Sequence, residues 1–136
     1  MVIFLIHMSD IFIDDLELAR PNYFLNAKTQ SQGIQTGRII ARSESILKNE
    51  KPDLVMVTGD TNSGLGPAIA SSKLGFKVAH GKAGCRSFDK SMAEEINRKL
   101  ISHVTDLHFT PTIIARKICW EKAYLLLIFL DGTPNC

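Results

Sequence analysis

Charge of either sign is not in excess in this chain: 16 Lys and Arg stand against 14 Asp and Glu, for a formal net charge of +2. The cations are scattered rather than gathered into a stripe, so a nucleic-acid-binding face is not expected. Cysteine is scarce, with only Cys85, Cys119 and Cys136, and none has a CxxC or Cys/His ligand spacing. An odd count without a framework fits a reducing compartment, and a cytoplasmic location is expected. The four histidines share no ligand spacing with acidic or cysteine partners, so no metal site is expected. Residues 1–6 are apolar but lack a basic leader and give way to His7-Met-Ser-Asp10, too short for a membrane span or a signal segment. They read as a buried strand, with a truncation or frame artefact as the rival. No repeat, low-complexity tract or linker divides the 136 residues. With 45% hydrophobic and 22% charged residues they suit one soluble globular domain or part of a larger one.

The most informative run is Lys51-Pro-Asp-Leu-Val-Met-Val-Thr-Gly-Asp-Thr-Asn62, an apolar strand that stops at a carboxylate with a helix beginning just beyond. In open α/β sheets, strand ends and helix N-termini deliver side chains to one crevice, so Asp60 leads the candidate residues. Apolar residues at 34, 39, 40, 46 and 47 fall on helical spacing and predict a helix over 32–49. The strand follows at 53–58 and a helix at 62–74, with Pro67 in its early turns and Gly75 at its exit. Gly64 and Gly66 weaken that helix and suit a close approach of backbone to its neighbours. A strand at 77–80, a helix at 92–104, a strand at 107–110, a helix at 111–124 and a strand at 125–130 complete the chain. Strands that alternate with helices predict an α/β fold with a parallel sheet and right-handed crossovers.

Candidate chemistry gathers at predicted strand ends and helix starts: Gly59-Asp60-Thr61, His80-Gly-Lys-Ala-Gly84, Arg86, and Glu94-Glu-Ile-Asn-Arg98. Three loops on one sheet edge would face a common cleft, with carboxylates for proton transfer and cations for a phosphate. Each group also has a plainer explanation. Gly-Asp-Thr suits a turn or an N-cap. A histidine at a strand end is commonly a hydrogen-bonded structural one. Lys82 suits solvent as well as phosphate, and Glu94 and Glu95 are favoured at a helix start by the macrodipole. Trp120 reads as helix packing.

Together these residues resemble the non-hydrolysing UDP-N-acetylglucosamine 2-epimerases. The family's P-D-x-V-x-V-x-G-D-T strand is matched by Pro52-Asp-Leu-Val-Met-Val-Thr-Gly-Asp-Thr61 and its H-x-E-A-G-x-R by His80-Gly-Lys-Ala-Gly-Cys-Arg86. Its P-E-E-x-N-R is matched by Ala93-Glu-Glu-Ile-Asn-Arg98, and its F-x-P-T by Phe109-Thr-Pro-Thr112. The resemblance runs from about residue 8 to residue 124. It implies a Rossmann-like parallel sheet flanked by helices, equivalent to part of the N-terminal half of a GT-B-type two-domain fold. It also implies a UDP-sugar as the ligand and no cofactor. The implied reaction interconverts UDP-N-acetylglucosamine and UDP-N-acetylmannosamine by elimination and re-addition of UDP, feeding polysaccharide or glycan synthesis. On this resemblance Asp60 and Glu94 are the catalytic candidates. His80, Arg86, Asn97 and Arg98 are the substrate-binding or cleft-bracing ones, and Gln32 matches a residue of a regulatory nucleotide site. Family members are typically homodimers, so a second copy, or a chain supplying the missing second domain, is the expected partner.

Departures from the pattern bear on activity. Lys82 stands where the family has a catalytic glutamate, reversing the charge; beside Asp60 it is expected to be charged and to pair with it. The family's first strand, with its G-T-R-P-E loop, and its C-terminal domain are not matched. The expected organisation is therefore one incomplete domain, with residues 1–7 an uncertain strand, 8–124 epimerase-like and 125–136 divergent. A chain inactive alone is expected. The alternative is a catalytically dead remnant that keeps a sugar-nucleotide contact or a dimer face. The strand that ends at Asp60 would lose its central neighbour, leaving an apolar edge.

Overall fold

A computed structural model of the chain describes residues 21–122, together with the backbone of residues 4–5 and 127–129. In chain order the elements are β1 (Phe4–Leu5), β2 (Tyr23–Phe24), α1 (Gln32–Glu50), β3 (Leu54–Thr58) and α2 (Asn62–Lys73). There follow β4 (Lys77–Gly81), α3 (Ala93–Val104), β5 (Leu107–Thr110), α4 (Ile113–Glu121) and β6 (Leu127–Phe129). Strands β3-β4-β5-β6 form a sheet in that spatial order, all parallel, while β1 and β2 form a separate parallel pair. A helix joins each strand of the larger sheet to the next, which is the α/β plan the alternation implied.

Local chemistry sets the helix limits. The Ser31 hydroxyl accepts from the Ile34 amide and opens α1. At the far end Lys51, left-handed at φ 45°, returns its N–H to the Leu47 carbonyl at 2.9 Å, and Pro52 follows. Helix α4 is shorter than the 111–124 expected. Thr112 caps it by accepting from the Ala115 amide at 3.1 Å, so Pro111 lies before the helix, and residues 123–124 lie outside the described residues. Of the strand expected at 125–130, Leu127–Phe129 is described. Of residues 1–6, Phe4 and Leu5 form a strand.

The core lies on one face of the larger sheet. Val55, Val57 and Val78 meet Leu47 of α1, Leu65 and Ala68 of α2 and Ile101 of α3. A side chain of that size contributes about 1.5–3 kcal/mol when fully buried. Leu25 and Ala27 pack on Ile39 in a smaller cluster, so α1 joins the segment after β2 to the main core. On the opposite face of β3, Leu54 is 47% exposed and Met56 60% exposed. Among the described residues β3 pairs only with β4, in line with the apolar edge anticipated above.

Helices α1 and α2 cross at Gly66. A Cβ there would collide with the Ile39 side chain, its Cβ 2.9 Å away, and would come within 3.3 Å of the Ile40 backbone nitrogen. Overpacking of this kind costs about 1–3 kcal/mol, against a helix-propensity gain of about 1 kcal/mol for Gly→Ala. Gly66→Ala is therefore expected to lower stability in denaturant unfolding by up to about 2 kcal/mol. A stabilisation of about 1 kcal/mol would mean that the two helices do not touch there.

His80 and His108 occupy paired positions on β4 and β5, each 1% exposed. His80 donates from Nε2 to the Gly59 carbonyl at 2.9 Å, and His108 Nε2 donates to the Ser102 carbonyl at 3.1 Å. Burial, with smaller help from His108 and Arg86, holds His80 below its ordinary value, although the Gly59 bond and Asp60 oppose this. The unfolded chain then takes up the His80 proton more readily than the folded one. This contribution to stability is full above about pH 6.5 and is lost as pH falls below it, at no more than about 1.4 kcal/mol per pH unit. Urea midpoints from pH 7.5 down to 5.5 should fall less in His80→Gln, which keeps a donor for Gly59 but does not titrate. Equal slopes in the two proteins would contradict this reading of His80.

Candidate functional site

The parallel register aligns Thr58 of β3 with Gly81 of β4, so both strands release their chains at one level. Gly59 turns the first chain at φ +78°, its amide bonded to the Gly81 carbonyl at 3.3 Å, and Asp60 follows in the turn before α2. The second chain turns through Lys82 at φ 63° and Ala83, whose amide bonds the Phe109 carbonyl at 3.0 Å. Gly84 closes that turn at φ +82°, where a Cβ would strike the Ala115 carbonyl of α4. Only glycine lets the loop lie this close to the helix.

Asp60 is gripped twice by consecutive residues of α3. Its Oδ2 accepts from Arg98 Nε at 2.8 Å and Nη2 at 2.5 Å, and its main-chain carbonyl accepts from Asn97 Nδ2 at 2.9 Å. Asn97 Nδ2 also donates to Asn62 Oδ1 at 3.1 Å, and Asn62 Nδ2 donates to Gln35 Oε1 at 2.8 Å and to Gln32 Oε1. A chain of amides therefore runs from Gln32 on α1 to the carbonyl of Asp60. Gln32 and Asn62 also line a wider groove of about 490 Å³, with Ile40, Ile96 and Leu100.

The third nitrogen of the Arg98 guanidinium, Nη1, donates to Glu95 Oε2 at 3.3 Å. Glu95 is fully buried; the same oxygen accepts from the Ser87 amide at 3.0 Å and hydroxyl at 3.2 Å, and Lys99 lies 3.3 Å from Oε1. Burial pushes the Glu95 carboxyl up, but the bonds from Ser87, Lys99 and Arg98 together outweigh it and hold the group below its ordinary value. For Arg98, burial acts downward, and the carboxylates of Asp60 and Glu95 raise it further than burial lowers it.

Gly59, Asp60, Lys82, Cys85 and Arg98 line a recess of about 100 Å³. The pairing expected between Lys82 and Asp60 is replaced: Arg98 occupies Oδ2, and Lys82 is exposed with no ion pair among the described residues. Of the residues singled out by sequence, Asp60, Asn97 and Arg98 are brought into direct contact, with His80 immediately behind on the Gly59 carbonyl and Gln32 at the end of the amide chain. Arg86 is directed elsewhere, donating to the Cys85 carbonyl at 2.8 Å and Ser102 Oγ at 3.2 Å, where it braces the loop on α3. Glu94 is exposed in the first turn of α3. It precedes Asn97 and Arg98 by three and four residues and so shares their side of the helix. Asn62 and Ser87 are participants that the sequence did not mark, and Glu95 stood among the candidates without a role of its own. The i, i+3 and i, i+4 spacing of Glu95 to Arg98 and Lys99 is a signal that could have found the pairing but not the burial. Among the described residues no three His, Cys, Asp or Glu side chains are grouped to hold a metal ion, and no helix is long and apolar enough to cross a membrane.

The sequence and the fold have counterparts in known proteins. The family model described as UDP-N-acetylglucosamine 2-epimerase matches residues 4–122. A UDP-N-acetylglucosamine 2-epimerase homolog of Methanococcus maripaludis is 54% identical over 105 residues, covering 77% of this chain and 29% of that protein. A UDP-N-acetylglucosamine 2-epimerase of the same organism is 48% identical over 126 residues, covering 88% of this chain and 34% of that protein. The crystal structure of the Methanocaldococcus jannaschii UDP-GlcNAc 2-epimerase, in complex with UDP-GlcNAc and UDP, superimposes with a TM-score of 0.85 at 42% identity. That match covers 90% of this chain and 34% of the crystallised one. The chain thus spans about a third of the length of the relatives it matches. A family match over residues 4–122, agreement of sequence and agreement of fold together make this chain a member of the UDP-N-acetylglucosamine 2-epimerase family.

Proposed function

We propose that the recess at the ends of β3 and β4 is one wall of a UDP-sugar cleft and that Asp60 is a proton-transfer group in the interconversion of UDP-N-acetylglucosamine and UDP-N-acetylmannosamine. The observation that carries this reading is the hold on Asp60, with Oδ2 committed to Arg98, the carbonyl to Asn97, and Oδ1 left without a partner among the described residues. A carboxylate fixed by its other atoms meets the positional demand of proton transfer, which fails when a reacting group is misplaced by an ångström.

The remaining groups divide by role. Glu94, exposed one helical turn before Arg98, is the second carboxylate of the reaction. Lys82 supplies positive charge at the mouth, suited to a departing diphosphate rather than to a carbon-bound proton. Arg98 and Asn97 act on the substrate mainly through Asp60, because the bonds they make are already directed there. His80 and Arg86 hold the two loops. A nucleotide bound at Gln32 would bear on Asp60 through Asn62 and Asn97, which is how this residue would serve regulation. The work is done in the cytoplasm, and the opposite wall comes from the portion that the relatives have beyond this third, in the same or a separate polypeptide, with a second copy as the further partner.

Amide NMR of the isotope-labelled chain during addition of UDP is the test. Shifts at Gly59, Asp60, Lys82 and Ala83 are expected, with affinity about tenfold weaker in Lys82→Glu, equivalent to about 1.4 kcal/mol. Shifts confined to other surfaces, or none, would contradict the cleft. Incubated with UDP-N-acetylglucosamine in heavy water, the 136-residue chain by itself should leave carbon 2 free of deuterium. Incorporation would mean that the reaction needs no second wall.

A further inference from the structure

We propose that Glu95 is a positioning residue for Asp60, acting through Arg98, and that the loop bearing Ser87 is fastened to the same carboxylate. The inference rests on the reading of Asp60 given above.

Glu95 is the only fully buried acidic side chain among the described residues, and it stands in the first turn of α3. A buried carboxylate is costly unless every oxygen is served by charge or hydrogen bonds. Here the service is uneven. Oε2 takes Ser87 N–H, Ser87 O–H and Arg98 Nη1, while Oε1 has only the Lys99 ammonium at 3.3 Å. The guanidinium is planar, so fixing Nη1 on Glu95 fixes the plane in which Nε and Nη2 reach Asp60. Arg98 is left with its fork aimed at Oδ2 and no freedom to swing toward Lys99 or solvent. Asp60 in turn cannot rotate without breaking two charge-assisted bonds, and Oδ1 stays directed away from Arg98.

The same oxygen that orients Arg98 holds Ser87, and Ser87 leads into a turn closed by Asp89, whose carboxylate accepts from the Ser91 amide at 2.8 Å and hydroxyl at 2.7 Å. One buried group thereby ties the loop after β4 to the carboxylate after β3. A staple that held only the loop would need Ser87 alone. The Arg98 contact is what connects it to the site.

The Arg98 Nε–H signal reports the Asp60 contact directly, and its exchange with solvent can be followed by NMR beside that of the Ser87 amide. Glu95→Gln keeps the length and an acceptor for Ser87 but removes the charge facing Nη1. Exchange at Arg98 Nε–H is expected to quicken by about tenfold or more, with the Ser87 amide changing by less than about threefold. Unchanged Arg98 exchange with a loosened Ser87 amide would overturn the proposal and leave Glu95 as a loop staple. If Glu95→Gln does not fold, Ser87→Gly and Asp60→Asn decide the matter. Ser87→Gly should leave Arg98 Nε–H protected within about twofold, and Asp60→Asn should free it while Ser87 stays protected. Loss of Arg98 protection in Ser87→Gly would overturn the proposal. The outcome is separable from that of the UDP addition: a wild-type chain that ignores UDP defeats the cleft, whereas Arg98 exchange indifferent to Glu95 defeats only the positioning role.

Discussion

Arg98 is the joint on which the candidate site turns. Its guanidinium spends one edge on Asp60 and its remaining nitrogen on Glu95, so a carboxylate at the end of β3 and a buried one on α3 share a single rigid plane. Sequence separation makes the constraint stronger, because Asp60 and Arg98 lie 38 residues apart and meet only if α2, β4 and the following loop are all in place. Forming the site is thus a consequence of completing the fold around β3, β4 and α3. The Asn97 bond to the Asp60 carbonyl adds a second point of attachment from the next residue on the same helix, so the turn is fixed by main chain and side chain together.

Much of this is legible in the sequence. The apolar run into Gly59-Asp60 announced a strand ending at a carboxylate, and helical spacing located α1, α2 and α3 to within two residues at either end. The motif resemblance brought Asp60, Asn97 and Arg98 forward, and the structure joins them. Other features could not be read. A two-residue strand such as Tyr23–Phe24 carries no alternation to detect, and its partnership with Phe4–Leu5 depends on contacts remote in sequence. Glu94 and Glu95 are identical neighbours separated only by helix phase. Ile96 and Leu100 are 50% and 46% exposed and line a groove, while the acidic Glu95 is buried. Lys82 was assigned to Asp60 on charge alone. Charge could not reveal that Arg98 already held the oxygen.

On the proposed reading the recess is one wall of a cleft. A parallel sheet is ordinarily covered on both faces and paired at interior strands, yet β3 presents Leu54 and Met56 to solvent and has no neighbour beyond it among the described residues. The relatives are about three times as long as the portion matched. The bonds that join Asp60, Asn97, Arg98, Glu95 and Ser87 all fall within residues 60–98, so the geometry of the recess is set locally.

The most direct test of the account is a double-mutant cycle on the joint itself, comparing the unfolding free energies of the wild type, Asp60→Asn, Arg98→Gln and the double variant. Both side chains are partly exposed, at 31% and 18%, so the coupling is expected to be smaller than for a fully buried pair. The account predicts a coupling of at least about 1 kcal/mol, above the usual range for a surface pair. A value within about 0.3 kcal/mol of zero would mean that Arg98 does not hold Asp60, and the central claim would fail.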